Sequence, residues 1–199
     1  MSEHLKNYAI VVLAAGSSTR MGRSKQLLPV GTTTLLRHTV QVATSVSRAR
    51  AIVVLGAREN LHRAEIKDLS VEVVPNQDWE TGIGSSIKAG AKYVSGLAHI
   101  AGVIILVCDQ PHVDVELLNN LIALHETRGK LIVASAYANT IGVPALFDIS
   151  LLKELSGLEN TKGAKALFTK YRDKLETVTF AKGAIDLDTE EDYDRFIQQ

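Results

Sequence analysis

The stretch Tyr8–Pro29, YAIVVLAAGSSTRMGRSKQLLP, decides how the rest of the chain is read. Tyr8–Ala14 is a continuous apolar run with Ile10, Val11 and Val12 at its centre, the pattern of a strand buried on both faces. Small residues follow at Ala14, Ala15 and Gly16, then hydroxyls at Ser17, Ser18 and Thr19, then cations at Arg20, Arg23 and Lys25. In open α/β sheets, ligands bind beyond the carboxyl ends of strands. Small residues let the backbone approach a ligand closely. An arginine can hold a phosphate through two parallel hydrogen bonds, and a lysine acts as a point charge. The segment therefore reads as a polyphosphate-binding loop, and the density of small residues and cations argues against a merely solvated turn.

Two familiar phosphate loops are excluded by spacing. Gly16 and Gly22 are separated by five residues where the Walker A pattern has four, and Lys25 does not follow the second glycine. The dinucleotide fingerprint fails because position 18 is serine.

Outward from this loop, short apolar runs recur at 51–55 (AIVVL), 71–74, 103–108 (VIILVC) and 131–135 (LIVAS). Between them lie helical stripes: Leu36, Val40 and Ala43; Ile87, Ala91 and Val94; and Leu117, Leu118, Leu121 and Ile122, with Asp114 placed as N-cap. Strand–helix alternation at this spacing predicts βαβ units. The fold class is α/β, with three layers and helices on both faces of a mostly parallel, twisted sheet. Past residue 136 the pattern loosens. Pro144 demotes Gly142–Phe147 to an edge strand or loop. Residues 161–171 read as a helix, 175–180 as a strand, and 189–197 as a closing helix capped by Thr189.

The 199 residues, with no repeat or linker, predict one domain over 1–199. Lys plus Arg equals Asp plus Glu at 22 each, which argues against nucleic acid as the main partner. The single cysteine, Cys108, excludes an internal disulfide and a cysteine-pair zinc site. The histidines show no paired ligand spacing, and only His112 falls near the crevice, where a turn or surface role is expected. No run is long enough to span a bilayer and none has a signal peptide's form, so a cytoplasmic protein without a membrane partner is expected.

The strand 103–108 runs directly into Asp109-Gln110-Pro111. A carboxylate there shares the crevice of the first loop and suits Mg²⁺, which takes hard oxygen ligands. A turn-capping role before proline is the alternative, and the residues alone leave both open. Asp186 and Asp188 sit two apart, on one face of an expected strand, with helix capping the rival role for Asp188.

The segment LAAGSSTRMGRSKQLLP closely resembles the signature of the nucleotidyltransferases that include molybdenum cofactor cytidylyltransferase and its guanylyl relatives. Leu13, Ala14, Ala15, Gly16, Ser18, Arg20, Met21, Gly22, Lys25, Leu27, Leu28 and Pro29 all match the family's fixed positions. The resemblance implies a Rossmann-like, GT-A-type fold. It implies nucleotide binding by Leu13, Ala14, Ala15, Gly16, Ser17, Ser18, Arg20 and Lys25, with Lys25, Arg20 and Asp109 catalytic. Ala15, where the guanylyl branch carries glycine, points to CTP over GTP. The resemblance also implies base contacts from Asn76, Gly82 and Ser86, and a Mg²⁺ site on Asp109 and Asp186, with Asp188 as rival. Trp79 is expected to anchor its loop. The implied acceptor is molybdopterin, with delivery of the product to a molybdenum hydroxylase. Gly142–Pro144 matches the family, whereas Thr161 and Lys165 replace its acidic residue and arginine near the second substrate. Other phosphorylated acceptors, a pterin carrier, and an NAD(P)H oxidoreductase are the rival readings.

Overall fold

The computed structural model describes residues 7–198. Its main sheet has seven strands among the described residues: β1 (Asn7–Ala14), β4 (Ala49–Leu55), β5 (Glu72–Pro75), β6 (Ile100–Val107), β7 (Ile132–Tyr137), β8 (Thr140–Asp148) and β9 (Leu175–Thr179). Their order is β5-β4-β1-β6-β8-β7-β9. β1 pairs in parallel with β4 and β6, β4 with β5, and β7 with β9, while β8 runs antiparallel between β6 and β7. A small hairpin, β2 (Pro29–Val30) with β3 (Thr33–Thr34), closes the first loop.

The sequence of β1 explains the layers. Tyr8, Ile10, Val12 and Ala14 enter one core, where α1 (Leu35–Thr44), α4 (Val115–Arg128) and α7 (Glu190–Ile197) pack. Ala9, Val11, Leu13 and Ala15 enter the other, against α3 (Ile83–Val94), α5 (Leu152–Ser156) and α6 (Lys165–Lys170). Strand side chains alternate between faces, so a continuous apolar run fills both cores. Asp114 caps α4 by accepting from Leu117 N–H, and Thr189 caps α7 in a reciprocal capping box with Asp192.

The chain leaves β1 toward β4 and β5, then returns to the other side of β1 to form β6. This reversal opens a crevice at the carboxyl ends of β1 and β6, where α/β sheets bind ligands. The loops beginning at Ala15 and Cys108 face each other there, joined by Cys108 N–H donating to Leu13 O at 3.2 Å.

Three expectations need correction. Pro144 does not lie at an edge or in a loop, because β8 is interior. Ala134 pairs with Ala145 and Ser135 with Gly142, so Val143 and Pro144 bulge out of the β7 ladder where no N–H is demanded of the proline. Ser135 Oγ donates to the Pro144 carbonyl at 2.7 Å. The helix expected from 161 begins only at Lys165. Asp186 and Asp188 lie on irregular backbone, not on a strand. The alternation survives, since Leu187 between them is fully buried and its N–H donates to Asp109 O at 2.9 Å. Residues 1–6, part of the segment read as lacking a signal peptide, lie outside the described residues.

Candidate active site

Lys25 is the centre of the crevice. Its Nζ donates to Asp109 Oδ2 at 2.7 Å and to Asp188 Oδ1 at 2.9 Å, joining the first loop, the end of β6 and the segment before α7. Burial tends to lower the ammonium's pKa, but the two carboxylates outweigh it and hold the group above the ordinary lysine range. Asp188 shows the complement: burial raises its pKa, yet Lys25 and then Arg20 hold it below the usual carboxylate range. Arg20 reaches Asp188 at 3.2 Å from an exposed position. Among the described residues, no cation pairs with Asp186. Burial, with the charges of Asp188 and Asp109 adding to it, pushes its carboxyl up.

The loop that presents Lys25 is held from below. Gln26 is buried and donates to Gly16 O at 2.8 Å and to Ala14 O at 3.3 Å. Its Oε1 accepts from Ser24 Oγ at 2.8 Å and from Ser18 Oγ at 3.1 Å. Ser18 Oγ in turn accepts Lys25 N–H at 3.1 Å. Ser24 Oγ also meets Nε2 of His62, a fully buried residue, at 2.7 Å. Polar groups linked in this way inside a core fix one loop geometry.

Three cavities open along the crevice. One, of about 210 Å³, is lined by Leu13, Ala14, Ala15, Gly16, Lys25, Gln26, Trp79, Gly82, Ile83, Ser86, Val107, Cys108 and Asp109. A second, of about 410 Å³, is lined by Ser17, Ser18, Thr19, Gly22, Ala57, Arg58 and Trp79. The third, of about 370 Å³, lies beyond Asp109 and includes Gln110, Tyr137, Val143, Lys165, Gly183 and Asp186. Asp109 thus stands between the first cavity and the third.

Most of the expected site residues converge here. Asn76 does not line any of these three cavities. It is buried, its Nδ2 donates to Ser85 and Ser86 Oγ at 2.9 and 3.0 Å, and it sets the start of α3 from behind. Gly82, at φ 124°, takes a backbone conformation open to glycine and lets the chain turn into α3. Trp79 is half-buried, and its Cβ packs where a Cβ on Gly56 would fall at 2.7 Å. Arg23, read as a phosphate cation, is bound by Glu190 through two bonds of 2.7 Å and lies over the Tyr193 ring. His112 sits edge-on to Phe196, away from Lys25 and Asp109. Sequence reasoning passed over Ser24, Gln26, His62, Arg58, Gln110 and Tyr137. Ser24 and Gln26 lay inside the first-loop motif and Gln110 inside Asp109-Gln110-Pro111, whereas His62, Arg58 and Tyr137 had no motif around them.

Cys108 is buried in the cavity wall. Burial, with Asp109 beside it, raises its thiol to about 12, so it stays protonated and is not poised as a nucleophile. Among the described residues, no three His, Cys, Asp or Glu side chains form a ready-made metal cluster, and none of the helices is long and apolar enough to cross a membrane.

Comparison with known proteins agrees with this geometry. PucB, a purine catabolism protein of Bacillus subtilis, is 29% identical over 92% of this chain and 93% of its own length. The structure of Rv0371c from Mycobacterium tuberculosis is 30% identical and superimposes with a TM-score of 0.85 over 98% of each chain. A complex of the same mycobacterial protein with manganese is 28% identical, with a TM-score of 0.80 over 97% of this chain and 99% of that one. A profile of the MobA-like NTP transferase domain matches residues 10–175. The chain belongs to the MobA-like NTP transferase family and is a nucleotidyltransferase.

Proposed function

We propose that the protein transfers CMP from CTP to the phosphate of molybdopterin, with Mg²⁺, and releases pyrophosphate. The observation that carries this reading is the position of Asp109 between two cavities, with Lys25, which lines the first, donating to it. A nucleotide with its α-phosphate at Lys25 would extend into the cavities lined by the first loop, and a phosphorylated acceptor would approach from the third. Leu13, Ala14, Ala15 and Gly16 would lie along the nucleotide, Ser17 and Ser18 along its phosphates, and Gly82 and Ser86 beside the base. Asn76 would act indirectly, by holding Ser86.

The chemistry asks little of a general base. An oxygen of the acceptor phosphate attacks the α-phosphorus in line, the α–β phosphoanhydride bond breaks, and pyrophosphate leaves with the bonding electrons. A phosphomonoester is largely dianionic at neutral pH because its second pKa is about 6. Lys25 and Arg20 would place positive charge where negative charge gathers, and preorganised charge of this kind lowers the barrier without reorganisation. The residues fit a divalent cation. Asp109 and Asp186 offer hard oxygens on one cavity wall, and the raised carboxyl of Asp186 marks charge without a neutralising partner. Bound there, Mg²⁺ would supply charge neutralisation at the phosphates. The manganese complex of Rv0371c supports a divalent cation. We also place the activity in one domain over 1–199 in the cytoplasm, with the product passed to a molybdenum hydroxylase.

The test is to incubate the protein and Mg²⁺ with CTP, GTP, ATP or UTP and with molybdopterin, a sugar phosphate or an isoprenoid-precursor phosphate, and to measure pyrophosphate. Release with CTP and molybdopterin above all other pairs is expected. Release only with another pair would correct the substrates, and none with any pair would remove the proposed reaction.

A further inference from the structure

The cations that the first loop supplies are already engaged. Lys25 is held by Asp109 and Asp188, Arg20 leans on Asp188, and Arg23 is tied to Glu190. A triphosphate carries several negative charges, more than side chains already paired with carboxylates would offset. A further cation on the outer part of the cleft would therefore complete the charge balance. Arg58 is such a cation. It lines the cavity of about 410 Å³ together with Ser17, Ser18, Thr19 and Gly22, and it is exposed. Among the described residues, no carboxylate lies within ion-pair distance of it.

The backbone brings Arg58 there by a specific route. After β4 the chain is stitched to the first loop by Ala57 N–H donating to Ala15 O at 3.0 Å. Gly56 permits that approach, since a Cβ there would meet Ala15 O at 2.9 Å and Trp79 at 2.7 Å. The next residue, Arg58, adopts left-handed φ of 53°. An L-residue other than glycine is strained in that conformation. Strain of this kind collects at ligand-binding positions. His62, one turn on, is depressed in pKa first by burial and then by the charge of Arg58.

We propose that Arg58 binds the outer phosphates of the nucleoside triphosphate, and hence the pyrophosphate product, from the side opposite Lys25. The proposal rests on the nucleotide reading of this cleft but not on the identity of the base or the acceptor. It makes Arg58 a binding residue contributed from outside the signature loop.

The experiment is calorimetric titration of the full chain with Mg–pyrophosphate, Mg–CTP and CMP. The variants are Arg58→Ala, Arg58→Asn, whose side chain tolerates the left-handed backbone, and Arg58→Lys. Losing a charge-assisted pair of hydrogen bonds should weaken Mg–pyrophosphate and Mg–CTP about 10- to 100-fold. CMP binding should stay unchanged, and Arg58→Lys should restore part of the loss. Wild-type affinity for Mg–pyrophosphate in Arg58→Asn, an equal loss for CMP, or no pyrophosphate binding by the wild type would overturn the proposal. Arg58-dependent binding of Mg–pyrophosphate without transfer from any of the four triphosphates would instead sink the reaction proposed above and leave this role standing.

Discussion

On the nucleotide side of the crevice, one segment, residues 13–29, carries much of the lining, and its supporting bonds run largely between its own members, Gln26 with Gly16 and Ser18 with Lys25. On the far side of Asp109, the cavity is assembled from remote pieces: Tyr137 and Val143 from the β7–β8 hairpin, Lys165 at the start of α6, and Gly183 with Asp186 from the irregular approach to α7. The first side is built to be rigid and is recognisable as a motif. The second gathers residues whose neighbours in sequence say nothing about each other, and such a surface can change its substrate by changing one loop. A shared nucleotide chemistry with a variable acceptor is the expected consequence.

The sharpest way to break this contrast is at the ion pair where the two sides meet, Asp109 on both cavity walls and Lys25 on the first. Asp109→Asn and Lys25→Ala should each lower pyrophosphate release by about 10²–10³-fold, the scale of removing one preorganised charge from a transfer site. Their circular dichroism should match the wild type. Retained activity in either would mean that the two sides do not meet at that residue.

The rigidity of the nucleotide side is tested by Asn76→Ala. This change removes the amide that donates to Ser85 and Ser86 Oγ, although Ser85 keeps its bond to Gly82 O, and should lower stability by about 1–3 kcal/mol, read from urea denaturation. A change near zero would show that the start of α3 is fixed by other contacts.

The Lys25 bridge itself has a pH signature. Asp188 lies below its ordinary value of 3.8, so its contribution is present above that value and is lost as pH falls through the lower folded one. Lys25 lies above its ordinary value of 10.5, so its contribution is present below that value and is lost as pH rises through the higher one. Lys25→Met should therefore be less stable than the wild type at neutral pH and should converge on it in acid, as pH falls through the lowered folded value of Asp188 in the wild type. A difference that stays constant on acidification would argue that Lys25 contributes by packing alone.

The smallest effect is expected at Lys165, an exposed cation at the edge of the acceptor cavity. Lys165→Ala should raise the acceptor KM about 2- to 5-fold, in keeping with a screened surface charge, and leave the CTP KM unchanged. A change in the CTP KM instead would move Lys165 to the nucleotide side.

The same contrast explains what could be read from the sequence. β1 and its loop were legible because burial on both faces writes a continuous apolar run and many of the residues lining the crevice are contiguous. Arg23 was misread because its partner, Glu190, is 167 residues away. His62 was invisible for a like reason: a lone histidine 38 residues from Ser24 has no spacing to announce it. Pro144 misled because the rule against interior prolines holds for regular ladders, and a bulge suspends it. At Asp186 and Asp188 the alternation was legible and the strand was not, because Leu187 inserts between them without a neighbouring strand of its own.

The central claim is that a lysine from the first loop and an aspartate from β6 hold one magnesium-bound triphosphate between them. Thermal shift with CTP, with and without Mg²⁺, on the wild type, Lys25→Ala and Asp109→Ala tests it most directly. The wild type should show a Mg²⁺-dependent rise in melting temperature that both variants lose while still folding. An undiminished rise in both variants would contradict it.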